Sequence, residues 1–152
     1  MPTKLQELGN AGENLVKSKV DCPKCKNGRF SLKLLPINFK CADLICDFCG
    51  YLAQVKSTKV ANVNELPKSI LGAAWKPQKE RMDSGIFFPL FIVLFSSKSM
   101  RDYQIFYLPA DLQTKEMFIP RKKLSDKAKR AGWQGFQIDL SKALAPAIAL
   151  TN

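Results

Sequence analysis

Leu5, Leu8, Leu15 and Val16 recur at helical spacing and predict a helix over residues 5–20, although Gly9 and Gly12 lower its propensity. Residues 21–28 read as a turn. Residues 30–35 alternate apolar and polar side chains, as a strand does, and 41–45 form a second short strand. A tight turn over 46–50 leads into a third strand at 51–56, where Tyr51, Ala53 and Val55 alternate against Leu52, Gln54 and Lys56. Residues 57–66 are polar and predict a loop, after which Pro67 can open a helix over 68–82, with Pro77 as a potential kink. The apolar run 86–95 predicts a buried central strand, and 101–108 its hairpin partner across a turn at 96–100. A short helix at 125–130, capped by Ser125 and ended at Gly132, precedes a last strand at 136–140.

This order predicts an α+β chain built on one mixed sheet flanked by helices. Its 152 residues fit a single domain, 1–152, with no internal repeat. The longest apolar run is about half of the ~20 residues a membrane-spanning helix needs. The first residues lack the apolar stretch of a secretion signal, so the expectation is a cytoplasmic protein.

Charge sharpens the picture. Twenty-four Lys and Arg against 13 acidic residues give a formal net charge of +11. Solubility alone accounts for some of this, but so large a charge on a small chain favours a polyanion such as nucleic acid, whose counterions are released on binding. The chain has no histidine, which removes Ser-His and Cys-His catalysis.

Cys22-Pro-Lys-Cys25 and Cys46-Asp-Phe-Cys49 are two C-x2-C knuckles with 20 residues between them, the spacing of a four-cysteine zinc site. Gly28 and Gly50 suit the positive φ that such turns require. Disulfides are the alternative and do not suit a chain without a secretion signal. Cys41 stands outside the pattern and reads as an ordinary buried thiol. A site closed by four thiolates is structural, so these cysteines would staple a strand pair rather than perform chemistry.

Ten residues separate Asp43 from Gln54, and Lys56 follows two later. This D-x10-Q-x-K pattern approximates that of PD-(D/E)XK nucleases, in which an Asp on one strand meets a (D/E)-x-K triplet on its hairpin partner. Period-two alternation puts Gln54 and Lys56 on one face, and the second knuckle would fold Asp43 back towards them. Phosphodiester hydrolysis needs a hard cation such as Mg²⁺ held by oxygen ligands. Asp43, the amide oxygen of Gln54 and the backbone carbonyl of Val55 are candidates, with Lys56 orienting the attacking water. A solvated Gln and Lys on an ordinary strand is the competing reading of the triplet alone.

Taken together, Cys22-Pro-Lys-Cys25, Cys41-Ala42-Asp43, Cys46-Asp-Phe-Cys49 and Gln54-Val55-Lys56-Ser57 resemble the DpnI-type, or Dam-replacing, family of restriction endonucleases. Lys129-Arg130-Ala131-Gly132-Trp133-Gln134-Gly135 and Ile138-Asp139-Leu140-Ser141 are similar to a stretch near the end of that family's catalytic domain. The resemblance implies a PD-(D/E)XK fold with structural Zn²⁺ and a type II restriction enzyme that cuts duplex DNA with Mg²⁺, directed at adenine-methylated GATC. It implies catalytic roles for Asp43 and Lys56, and places Gln54 where the family has Glu. The family's C-terminal winged-helix domain has no counterpart in these residues. The competing reading is a zinc-ribbon DNA-binding protein whose nuclease centre has decayed. A third is a subunit of a larger nucleic-acid machine.

The densest basic run, Arg121, Lys122, Lys123, Lys127, Lys129 and Arg130, puts six cations in ten residues and is a candidate phosphate contact. The alternative is a solvated face. Trp133, between Gly132 and Gly135, could stack on or wedge into a base step, or could be a core residue. Lys59, Lys76 and Lys79 are further candidates for phosphate contact.

Overall fold

The computed structural model describes residues 3–141 and the strand Ile148–Leu150. Helix α1 (Lys4–Lys19) opens on a capping box: Thr3 Oγ1 accepts from the Gln6 amide, and Gln6 Oε1 accepts from the Thr3 amide. Strands β1 (Leu32–Leu34), β2 (Leu44–Cys46) and β3 (Leu52–Val60) form an antiparallel meander. Then come β4 (Ser69–Gly72), α2 (Trp75–Asp83), β5 (Leu90–Ser96), β6 (Tyr103–Leu108), β7 (Phe118–Pro120), β8 (Phe136–Asp139) and β9 (Ile148–Leu150).

Six strands make a mixed sheet in the order β1-β2-β3-β5-β6-β9, in which only β3 and β5 run parallel. Strands β4, β8 and β7 form a separate antiparallel sheet. The fold is therefore α+β, as the sequence predicts, but with two sheets where one was expected.

The layers follow from burial. On one face of the large sheet, α1 lays Val16 and Val20 against Val55, Phe91, Val93 and Ile105. On the other face, Ile92, Leu94 and Leu108 pack against Ile70, Phe118, Phe136 and Ile138 of the small sheet. Strand β5 is thus covered on both sides, and all seven of its residues are buried. This explains why its sequence is a continuous apolar run rather than an alternation.

Gly12 does not weaken α1 but seats it. A Cβ at this position would lie 1.8 Å from Ser57 Oγ and 3.1 Å from Ser57 Cβ, so glycine lets the helix approach β3 this closely without displacing that side chain.

Four expectations are corrected. Residues 68–82 are not one helix. Ile70 points inward and Leu71 outward, a strand alternation that ends at Gly72, where the Phe136 ring leaves no room for a Cβ. Only Trp75–Asp83 is helical, and Pro77 sits in its first turn, where the missing N–H costs nothing and no kink results. Strand β3 runs on to Val60 through the polar stretch 57–60, because Ser57–Val60 pair with Val93–Ser96 of β5. Residues 125–130 form turns within the β7–β8 connection, closed by Leu124 N–H to Trp133 O (2.8 Å) and Gly132 N–H to Leu124 O (3.0 Å). A segment this cationic has no apolar face to bury as a helix. Finally, β2 begins at Leu44 rather than at 41, since Cys41 has φ 64° and breaks the extended run.

No helix among the described residues is long and apolar enough to cross a membrane.

Candidate functional site

The two knuckles fold alike. In each, the residue four places after the first cysteine has positive φ (Lys26 47°, Gly50 80°) and donates its N–H to that cysteine's carbonyl at 3.0 and 2.8 Å. Gly28, also at positive φ, donates its N–H to Asp21 Oδ2 at 2.8 Å. The four Sγ atoms of Cys22, Cys25, Cys46 and Cys49 lie within 4.8 Å of one another, with Cys22–Cys49 at 3.6 Å and Cys25–Cys46 at 3.8 Å. Thiolates around a tetrahedral zinc are about 3.8 Å apart, given a Zn–S bond of about 2.3 Å. The cluster therefore has the shape and donor set to hold such an ion. Burial pushes the Cys22 thiol up to about 12. Cys46 is buried as well, but hydrogen bonds from Ser31 Oγ (3.1 Å) and the Cys49 and Phe48 amides hold it down at about 6. Metal uptake would release the remaining thiol protons.

Eighteen residues beyond Cys25, and just before β2, the chain presents Asp43. Its N–H donates to Ala53 O (2.9 Å), its carbonyl accepts from Leu35 N–H (2.9 Å), and its Oδ2 accepts from Val55 N–H (2.7 Å). Asp43 is thus locked between β1 and β3 by its backbone and aimed along β3 by its side chain. In an extended strand, a residue's N–H and C=O point to the same edge. The Val55 carbonyl therefore emerges beside Asp43, beyond the point where β2 pairs with β3.

Gln54 and Lys56 sit on the opposite face of β3 from Val55. Together with Asp43 they line one cavity of about 200 Å³, walled by Phe39, Ala74 and Gln78. Gln54 is 7% exposed, and its backbone N–H is held by Pro89 O at 2.8 Å. Burial raises the Asp43 carboxyl, with the Val55 amide and Lys56 pulling it back, and burial lowers Lys56, opposed by Asp43, Cys41 and Glu13. The three residues singled out by spacing are therefore brought together on one cavity, with Asp43 and Lys56 electrostatically coupled.

Three further residues belong to this place. Glu13 on α1 is pushed up to about 7, first by burial and then by Asp43, with Lys56 opposing. Cys41 lines the cavity and is only half-buried, so it is not the ordinary core thiol that the sequence suggests. Gln78 reaches the cavity from α2. No motif connects Glu13 or Gln78 to Asp43. For Glu13 the signal in the sequence is a carboxylate on the face of a helix next to its buried positions Gly12 and Val16, and for Gln78 it is a polar residue one turn before the buried Met82.

The basic run lies close by. Trp75 N–H donates to Gln134 O at 2.9 Å, which ties the β7–β8 connection to the start of α2. A second cavity of about 420 Å³ opens there, lined by Trp75, Lys76, Lys79, Lys123 and Trp133, and it shares Ala74 with the first. Trp133 is half-buried, with the Arg130 guanidinium 4.4 Å from its ring centroid, so it is not a core residue. Arg121, Lys122, Lys123, Lys127, Lys129 and Arg130 are all exposed. Of these, Lys123 lines the second cavity. Lys59 lies on β3, away from both cavities.

The paired knuckles, the carboxylate between them and the Gln-x-Lys strand occupy most of the chain's first half, and the tryptophan loop closes the second cavity near its end. Residues 3–149 match the Dam-replacing family, DpnI, and the chain belongs to that family.

Proposed function

We propose that this protein is a restriction-type endonuclease that hydrolyses phosphodiester bonds in duplex DNA with Mg²⁺. The observation that carries the reading is the convergence of Asp43, Gln54 and Lys56 on one cavity, with the Asp43 carboxylate fixed on Val55 N–H. Family membership supports methylated DNA as the substrate, and the resemblance noted above makes adenine-methylated GATC the first target to test. The fold reading is PD-(D/E)XK, with Zn²⁺ held by Cys22, Cys25, Cys46 and Cys49.

The oxygen donors present, the Asp43 carboxylate, the Gln54 amide and the Val55 carbonyl, suit a hard cation. Mg²⁺ bound there would polarise a phosphoryl oxygen and acidify a water. Lys56 orients that water and answers the negative charge that develops on the phosphate. Burial lowers its affinity for protons while Asp43, Cys41 and Glu13 oppose, a perturbation of the kind that clusters at functional sites. Glu13 lends the site part of the negative charge that Gln54 lacks. The DNA backbone passes from this cavity to the second, where Lys76 and Lys123 meet phosphates.

Incubation of methylated and unmethylated plasmid with Mg²⁺ and with Mn²⁺ tests the reading. Cleavage of the methylated plasmid is expected. The neutral Gln54 favours one alternative, a DNA-binding protein with a decayed nuclease centre. In that case both plasmids would be bound and neither cut.

A further inference from the structure

Gln78 is 3% exposed, on α2, and lines the cavity that holds Asp43, Gln54 and Lys56. Its Oε1 is sealed from solvent and has no hydrogen-bond partner among the described residues. An unpaired buried acceptor destabilises a fold, whereas an apolar side chain of the same shape does not. Four residues on, and so on the same face of the helix, Met82 packs into the core between the sheets. Helix patterning alone would place another apolar residue at position 78. A glutamine there breaks the local rule with no compensating hydrogen bond to Oε1 among the described residues, which is the mark of a position kept for a ligand.

Because Gln78 lines the cavity of about 200 Å³, a turn of its amide brings Oε1 to a donor held there, and that donor must be small. A water held by a cation fits. It is a strong donor, its protons point away from the metal, and it needs an acceptor that adds no further charge beside Asp43 and Glu13. We propose that Gln78 is a positioning residue of the metal centre, its amide oxygen accepting a hydrogen bond from a water ligand of the divalent cation. The inference rests on the metal-centre reading above and adds to it an outer contact from α2.

The test uses the full chain with its zinc and three variants: Gln78→Met, Gln78→Glu and Asp43→Ala. Mn²⁺ binding is followed by electron paramagnetic resonance without DNA, and thermal unfolding is measured alongside. Loss of an outer-shell partner typically weakens metal affinity by about tenfold or more. Gln78→Met should show that loss with an unchanged or higher melting temperature, because an orphaned acceptor is replaced by an apolar group. Gln78→Glu keeps the acceptor and should bind Mn²⁺ more tightly than Gln78→Met. A Gln78→Met protein that binds Mn²⁺ as the parent does would overturn the proposal, as would a lower melting temperature with unchanged affinity. If the parent binds Mn²⁺ no better than Asp43→Ala, the metal-centre reading falls and this inference with it. If the parent binds Mn²⁺ through Asp43 yet cuts no DNA, the endonuclease reading fails, and the Gln78 result is still decided by Mn²⁺ affinity.

Discussion

Asp43 is held by three hydrogen bonds, two through its backbone and one through Oδ2 to Val55 N–H. This hold is why a carboxylate raised by burial can remain aimed at one point of the cavity. Spacing along the chain identifies Asp43, Gln54 and Lys56, because strand alternation and a hairpin are local rules. It does not identify Glu13 or Gln78, which reach the site from two helices and are near it only in the folded chain. Gln54 is the neutral member of the group. Gln54→Glu should tighten Mg²⁺ binding, so the Mg²⁺ concentration giving half-maximal cleavage should fall; titration of plasmid cleavage against Mg²⁺ checks this. Glu13 carries a pH prediction. Its carboxyl is raised in the folded protein from the ordinary 4.5 to about 7. The folded state therefore favours the protonated form, and stability is lost as pH rises from about 4.5 through about 7. Gln is a permanent mimic of the protonated acid. Without added Mg²⁺, Glu13→Gln should melt with the parent at pH 4.5 and above it at pH 8.

The elements show where sequence patterns inform and where they fail. Helix α1, β5 and β6 were legible, because long periodic or continuous apolar runs bury against large surfaces. The region 68–82 departs from the single helix its sequence suggests because a four-residue strand and a nine-residue helix share one polar-rich stretch. Only pairing of β4 with β8 makes 69–72 a strand, and that pairing spans about half the chain. Strands β7 and β9 have three residues each and are set by their partners in the same way. The contact between α1 and β3 makes a testable demand. Gly12→Ala drives a methyl into Ser57 Oγ, an overpacking cost of about 1–3 kcal/mol that outweighs the gain of up to about 1 kcal/mol in helix propensity, so a net loss of stability is expected. Urea unfolding of parent and variant would measure it, and an unchanged midpoint would mean that the helix does not sit this close. The knuckles are the other structural staple. Cys46→Ser removes one of four converging thiolates and should lower both metal content and melting temperature, because metal binding and folding share one free energy.

Over the whole molecule, the formal charge of +11 is unevenly used. Lys76 and Lys123 line the cavity next to the candidate catalytic one, while Lys127 and Lys129 stand exposed on the β7–β8 connection and line neither cavity. Charge runs are visible in a sequence, but which cations face a common groove is not. If DNA spans both cavities, Lys76→Ala with Lys123→Ala should flatten the slope of log affinity against log salt by about two. The Lys127 and Lys129 pair should change it less. The central claim is that the Asp43 cavity is a metal-dependent nuclease centre, and Asp43→Ala tests it most directly. Single-turnover cleavage of methylated plasmid with Mg²⁺ should occur with the parent and be lost with the variant, while zinc content and DNA affinity stay nearly the same. Cleavage by Asp43→Ala at the parent's rate would contradict the account.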